Sequence, residues 1–151
     1  MRRMDGVLAG TMAGMAATLV KDVPNYSLYR LGWVKLTYWH LAASVFVARE
    51  DIGSPLALVV GAAADIIVGG VLGMVLLLIF RHFGRDLWWY KGFVAGNAIW
   101  LFGSGLGVGA FCRLVPLDPI FRLSSLAEHQ LYGLTAAFLI WHWTRLEQKR
   151  G

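Results

Sequence analysis

Four long apolar segments dominate the chain, and polar or basic residues bound each of them. They cover about residues 6–23, 55–80, 92–112 and 126–144. A helix needs ~20 largely apolar residues to cross the hydrocarbon core of a bilayer. The pattern therefore predicts an all-α, polytopic membrane protein, in which residues 1–151 form one bundle of four transmembrane helices.

A fifth apolar stretch, at about residues 36–48, is too short to span a bilayer. It predicts either a re-entrant or an interfacial helix, and the sequence leaves both open. The span that follows has a clear start at Ser54 and Pro55. Serine is a favoured N-cap, and proline suits the first helical position because its missing N–H would have no partner there.

Composition agrees with a membrane location and argues against most soluble classes. Hydrophobic residues make up 58% of the 151 residues and charged residues 15%, whereas soluble domains carry about 25% charge. So short a chain has too little interior to hide this many apolar side chains from water. We expect no enzyme activity. The one cysteine, Cys112, excludes an intramolecular disulfide.

The basic residues predict the partner and the orientation of the bundle. The net charge is +5, and the basic side chains flank the apolar segments instead of forming one stripe. We therefore expect the lipid bilayer as partner and no nucleic acid. With the N-terminus inside, more basic residues lie beside the inner helix ends, so both termini are expected in the cytoplasm. The inner set is Arg2, Arg3, Arg81, Arg85, Lys91, Arg145, Lys149 and Arg150.

Glycines repeat along the first three predicted spans at helical spacing. Membrane helices associate through close backbone packing, which glycine allows. We interpret the glycines as packing residues, with partner helices in the same chain or in a second copy, and expect a homo-oligomer or a membrane-complex partner. They are Gly6, Gly10, Gly14, Gly61, Gly69, Gly73, Gly92 and Gly96.

Ionisable residues inside the predicted spans are the candidate functional residues, because charge at membrane depth is costly. Counted along the helices, Lys21, Asp65 and Glu128 each lie about 22 Å from the cytoplasmic boundary, and Ser104 about 18 Å. This predicts one polar layer in the outer half of the membrane. Its candidate members are Lys21, Asp22, His40, Asp65, Ser104, Glu128 and His129.

Two interpretations of this layer stay open. In the first, Lys21 or His129 pairs with Asp65 in an outward-facing cavity, which Ser104 and Glu128 also line. In the second, Lys21 extends to the outer headgroups and Asp65 bonds to a neighbouring helix. A cavity that reaches Asp65 would favour the first interpretation, and dry packing would favour the second.

Three further side chains have their own interpretations. Ser125-Leu126-Ala127-Glu128 matches a capping box, which would place Glu128 at a helix start. Asn97 is expected to form an interhelical hydrogen bond. We expect no cofactor and no metal; a haem held by His40 and His129 is an alternative without a fixed-spacing motif behind it.

Several short motifs resemble a known family. They are Gly6-x-x-Ala9-Gly10, Val20-Lys21, Val23-Pro24, Lys91-Gly92-x-x-x-Gly96 and Glu128-His129-x-x-Tyr132-Gly133. This set resembles the YagU-type family of small bacterial inner-membrane proteins. The run Lys21-Asp22-Val23-Pro24-Asn25 is similar to the Lys-Asp-x-x-Asn element of uncharacterised multi-pass proteins from Gram-positive bacteria. The resemblance implies a multi-pass helical bundle in the inner membrane, and it supplies no reaction.

The leading hypothesis is a compact membrane bundle that assembles with itself or serves as a subunit of a membrane complex. The first alternative is a small transporter or channel that uses the layer around Asp65 for a proton, an ion or a small solute. The second alternative is a membrane redox subunit that binds haem or quinone.

Overall fold

The computed structural model describes residues 6–107 and 118–148, and every regular element in these two ranges is helical. The all-α prediction is confirmed for this part of the chain. The elements are α1 (Gly6–Arg30), α2 (Tyr38–Ala43), a 3₁₀ turn (Arg49–Asp51), α3 (Pro55–Phe83), α4 (Trp88–Ile99), a π-helix (Trp100–Gly107) that continues α4, and α5 (Pro119–Gln148).

Helix α1 is longer than predicted. It continues through Pro24 to Arg30 instead of ending before the proline. Its end is a Schellman motif around Gly32, whose φ of 76° lies in the left-handed region that favours glycine. Because the helix continues, Asn25 lies one turn after Lys21, and both are buried.

Helix α3 begins where the sequence predicts. The hydroxyl oxygen of Ser54 accepts a hydrogen bond from the backbone N–H of Ala57 (3.3 Å), and Pro55 is the first helical residue. The helix extends to Phe83, slightly beyond the predicted end at residue 80. Its length of 29 residues corresponds to about 43 Å at 1.5 Å per residue.

The third predicted span is not one regular α-helix. Helix α4 begins at Trp88, ahead of the predicted start at residue 92, and its hydrogen bonding changes to a π-helix at Trp100. Glycine, which recurs in this π-helix, is a poor α-helix former. π-Helical turns are frequent at functional sites. The predicted end of the span at residue 112 lies outside the described residues.

Helix α5 begins earlier than predicted, at Pro119 instead of residue 126. The carboxylate of Asp118 accepts a hydrogen bond from the N–H of Ile120 (2.9 Å), and Pro119 follows it at the first helical position. Ser125 lies inside the helix, where its hydroxyl donates to a backbone carbonyl three residues earlier. The predicted capping box is therefore wrong, and Glu128 has no capping role.

The fifth apolar stretch forms a shorter helix than residues 36–48 would make. Helix α2 has six residues, and the backbone N–H of Thr37 donates to Nδ1 of His40 (3.2 Å) at its start. It lies against α3 at Gly61, where an added methyl group would meet the carbonyl oxygen of Trp39. The small size of Gly61 thus lets α2 approach α3 closely.

The predicted packing glycines lie mainly in helix contacts within the chain. A methyl group on Gly14 would meet the Gly69 carbonyl oxygen, and one on Gly73 would meet the Gly10 carbonyl oxygen. These two pairs bring the backbones of α1 and α3 together. A methyl group on Gly6 would meet the guanidinium group of Arg81 instead of backbone.

A similar contact joins α4 to α5. A methyl group on Gly92 would meet the carbonyl oxygen of Gly133, and one on Gly96 would meet the carbonyl oxygen of His129. Gly96 therefore lets α4 lie directly against the part of α5 that carries a candidate site residue. Gly133 faces both α4 glycines, although it is not among the predicted packing glycines.

The bundle has a small apolar core and an unequal arrangement of helices. α1 packs against both α3 and α5, whereas α3 and α4 make few contacts with each other. This leaves a space between them. The main core cluster consists of small and large apolar residues of α1, α3 and α5: Ala13, Ala17, Leu76, Leu77, Phe80, Tyr132, Ala136, Ala137 and Ile140.

Candidate functional site: a buried ion network beside a cavity

Lys21 is the centre of the site. Its Nζ lies 2.7 Å from Oδ1 of Asp22 and 2.9 Å from Oδ2 of Asp65. It also lies 3.6 Å from the centre of the Tyr38 ring, within the range of a cation–π contact. An ammonium group has three N–H donors. Two carboxylates and one aromatic face therefore account for all three N–H donors of Lys21. The Lys21 side chain is only 5% exposed.

The ion pair ties three helices together. Lys21 and Asp22 are on α1, and Asp65 is on α3. The other carboxylate oxygen of Asp22 accepts a hydrogen bond from the indole N–H of Trp39 on α2 (2.9 Å). Charge-assisted hydrogen bonds of this kind are about twice as strong as those between neutral groups.

Glu128 on α5 extends the network from the other side of Tyr38. Its Oε2 accepts a hydrogen bond from the Tyr38 hydroxyl (2.6 Å) and one from Nδ2 of Asn25 (3.3 Å). The side-chain oxygen Oδ1 of Asn25 in turn accepts a hydrogen bond from the backbone N–H of Tyr38 (3.1 Å). Glu128 is only 3% exposed, and its Oε1 has no hydrogen-bond partner among the described residues.

The contacts of His129 define its neutral tautomer. Nδ1 lies 2.7 Å from the backbone carbonyl oxygen of Ser125, which can only accept, so Nδ1 carries the proton. In the neutral ring Nε2 is then an acceptor, and the hydroxyl of Ser104, 3.4 Å away, donates to it. The π-helix places Ser104 there, and the guanidinium group of Arg122 donates to the Ser104 backbone carbonyl (2.9 Å).

A cavity of about 350 Å³ lies beside the network, in the space between α3 and the π-helix. This volume is in the range of small-molecule sites. Its lining combines an apolar majority with a few polar groups of the network. The lining residues are Thr18, Lys21, Tyr38, Leu41, Ala42, Val45, Phe46, Ala64, Asp65, Val68, Gly69, Leu72, Ile99, Gly103, Ser104, His129 and Tyr132.

Most of the predicted layer comes together. Lys21, Asp65, Ser104 and His129 line the cavity, while Asp22 and Glu128 lie in the network behind it. The alternative in which Lys21 extends to the outer headgroups is wrong, because its ammonium group is buried between two carboxylates.

His40 is the predicted member that does not join the network. Its Nδ1 accepts from Thr37, and its ring lies 5.4 Å from the ring of Tyr29, centre to centre. Burial lowers the pKa of His40 below its ordinary value, which agrees with a neutral ring that accepts a hydrogen bond. Within the described residues, no group of three or more His, Cys, Asp or Glu is placed to hold a metal ion. The expectation of no cofactor and the alternative of a haem held by His40 and His129 are both untested.

Three residues of the network are not among the predicted site residues: Asn25, Tyr38 and Trp39. Asn25 follows Lys21 by four residues, a spacing that shares one helix face, but the helix was expected to end before Pro24. The two aromatic residues precede His40 in the short apolar stretch. The predicted interhelical bond of Asn97 is confirmed, since its side-chain oxygen accepts from Nε2 of Gln130 on α5 (3.3 Å).

Among the described residues, one helix, α3, is long and apolar enough to cross a membrane when judged by length and composition. Comparison of the chain with known protein families, with curated proteins and with solved structures finds no match. The functional proposal therefore rests on the chemistry of the cavity and its ion network.

Proposed function

We propose that the chain is a polytopic membrane protein whose cavity passes a proton or a small cationic solute across the bilayer. In this proposal α1, α3, α4 with its π-helix, and α5 are the four spans, and α2 is a re-entrant helix that closes one side of the cavity. The bundle lies in a bacterial inner membrane with both termini in the cytoplasm, as the YagU-type resemblance suggests.

The distribution of side chains is the observation that carries the membrane part of the proposal. Lys21, Asp22 and Glu128 are buried, whereas apolar residues are exposed along the helices. On α3, Leu56 is 76% exposed and Val59 65%. Such a distribution is costly in water, where exposed apolar surface is unfavourable. In hydrocarbon it is favourable, because charged groups then face the interior of the bundle.

The charge balance of the network favours a cation as the transported species. One lysine contacts Asp22 and Asp65, and a third carboxyl group, that of Glu128, lies on the far side of Tyr38. Three carboxyl groups around one ammonium group leave an excess of negative charge when all are ionised. Buried charge of one sign is relieved by a proton or another bound cation.

A purely structural bundle, alone or as part of a complex, is the second candidate. The glycine contacts between α1 and α3 and between α4 and α5 favour it, because such close packing makes a rigid framework. A structural bundle has no need of a carboxylate beside an open cavity. The two candidates therefore differ in what removal of the Asp65 charge does to ion movement.

Proton flux in proteoliposomes tests the transport proposal. With a pH-sensitive dye inside and a potassium diffusion potential imposed, we expect the wild-type protein to acidify the interior faster than protein-free vesicles do. Asp65→Asn should reduce this rate to that of protein-free vesicles, because the cavity then lacks its carboxylate. Asp51→Asn, the same substitution at an exposed position on the 3₁₀ turn, should keep the wild-type rate.

The opposite results would refute transport. If folded Asp65→Asn protein acidified the vesicles at the wild-type rate, Asp65 would have no role in proton movement. A wild-type rate no higher than that of empty vesicles, together with no uptake of an organic cation, would leave the structural bundle as the better proposal. Retained helical content and a monodisperse elution profile would show that each variant is folded.

A further inference from the structure

The hydroxyl groups that line the cavity have all donated their hydrogens to the protein. Four such side chains occur among the described lining residues, and each lies within hydrogen-bond distance of an acceptor. The pairs are Thr18 to the Gly14 carbonyl (3.0 Å), Tyr132 to the Gly69 carbonyl (2.6 Å), Tyr38 to Oε2 of Glu128 (2.6 Å) and Ser104 to Nε2 of His129 (3.4 Å).

The nitrogen donors of the lining are also engaged. Lys21 directs its ammonium group at Asp22, Asp65 and the ring of Tyr38. The N–H of His129 points to the carbonyl of Ser125. The polar side chains of the lining therefore offer a ligand lone pairs, and their hydrogens are already committed. A ligand that fits this chemistry brings its own donors.

Asp65 is the strongest acceptor in the lining. It is the only carboxylate among the described lining residues, and its side chain is 19% exposed, whereas that of Lys21 is 5% exposed. Together with the excess of carboxyl groups in the network, this favours a ligand that is both a donor and a cation. An anionic ligand would meet lone pairs and a carboxylate.

The remaining lining is apolar and surrounds this acceptor. It comes from α2 and the chain after it, from α3, from α4 with its π-helix and from α5, and burial of an apolar ligand body against it is favourable in proportion to the area covered. The ring of Phe46 on the chain after α2 and that of Tyr132 on α5 supply aromatic surface. The larger aliphatic residues are Leu41, Val45, Val68, Leu72 and Ile99.

We propose that the cavity binds a primary ammonium ion carried on a compact apolar body, with the ammonium group on Asp65. The inference rests on the proposed function, since it names the substrate class of the same cavity. The ammonium group lies on the Asp65 carboxylate, and the hydroxyl oxygens of Ser104 and Thr18 are further acceptors in the same lining. The apolar body lies against Phe46 and its aliphatic neighbours.

Equilibrium binding of three matched compounds to the purified, detergent-solubilised chain tests the inference. They are 2-phenylethylamine, 2-phenylethanol and 3-phenylpropanoate, which share a phenyl group and differ in the charge of the polar end. We expect measurable binding of the amine at neutral pH, at least about tenfold weaker binding of the alcohol, and none of the carboxylate.

Two variants connect the binding to the cavity. Asp65→Asn should weaken amine binding by about tenfold or more, while the control Asp51→Asn should leave it unchanged. Val68→Trp fills the cavity from an exposed position and keeps every member of the ion network. Val68→Trp should abolish amine binding. This variant keeps the test decisive if the Asp65→Asn protein does not fold.

Equal binding of amine and alcohol, preferred binding of the carboxylate, or no binding of any compound would overturn the inference. So would amine binding that survives Val68→Trp. The proton-flux assay is independent of these outcomes. Proton flux that depends on Asp65 without amine binding would keep the proposed function and reject this substrate class. Amine binding without either proton flux or uptake of the amine into the proteoliposomes would keep the site and reject transport.

Discussion

Lys21→Met should leave little folded protein in the membrane. The substitution removes the only cation among the described residues that contacts Asp22 and Asp65, so the buried Asp22 and the partly buried Asp65 then lack a counter-charge. Removal of one partner from a buried ion pair costs about 3–5 kcal/mol. The yield of monodisperse protein after detergent extraction and the midpoint of thermal unfolding measure the effect.

Two companion variants make this result specific. Lys35→Met changes the same residue type at an exposed position and should have the yield and unfolding midpoint of the wild type. Lys21→Met combined with Asp22→Asn and Asp65→Asn should recover part of the lost stability, because the unpaired charges are gone. A single Lys21→Met variant as stable as the wild type would contradict the charge account.

Gly14→Ala should have the second largest effect on stability. One methyl group on Gly14 would meet the carbonyl oxygen of Gly69 and the backbone of Gly73, neither of which can move alone. Overpacking of this kind costs about 1–3 kcal/mol. The contact lies two turns along α1 from Lys21, so separation of α1 from α3 should also weaken the pair with Asp65.

The matched control for this prediction is Gly53→Ala. Nothing lies within 4 Å of a methyl group added at Gly53, so its unfolding midpoint should be close to that of the wild type. Thermal unfolding of both variants in the same detergent compares them. An unfolding midpoint of Gly14→Ala equal to that of Gly53→Ala would show that α1 and α3 do not approach as closely as described.

That Lys21 and Asp65 lie at one level of the bundle could be predicted from counting along the helices. Lys21 and Asp65 have the same predicted height because the helical rise is constant, and the structure places them 2.9 Å apart. The same counting placed Ser104 beside them, and it lines the same cavity. Height alone does not specify partners, so the sequence left both Lys21 and His129 as partners of Asp65.

Helix ends were predicted well where local chemistry decides them. Ser54 and Pro55 start α3 as expected. The same signature, Asp118 followed by Pro119, starts α5. The predicted start, the capping-box pattern at Ser125, lies inside that helix. Pro24 is the opposite case, because α1 continues through it although a proline inside a helix removes one backbone hydrogen bond.

The position of α2 and the cavity could not be read from the sequence. Both depend on contacts between segments far apart in the chain, such as Gly61 with the carbonyl of Trp39. Tyr38 contacts Lys21 and Glu128 only because α2 lies beside both α1 and α5. Hydrophobic periodicity carries no information on such long-range placement.

Cysteine accessibility in intact cells tests the central claim most directly, namely that these helices cross a membrane around a buried ion network. In a Cys112→Ser background, Lys35→Cys lies between α1 and α2, and Asp86→Cys lies between α3 and α4. A membrane-impermeant maleimide should label Lys35→Cys in intact cells and Asp86→Cys only after the cells are broken. The account would be contradicted if both cysteines were labelled in intact cells, or if neither were labelled before lysis. Recovery of the chain in the soluble fraction would also contradict it.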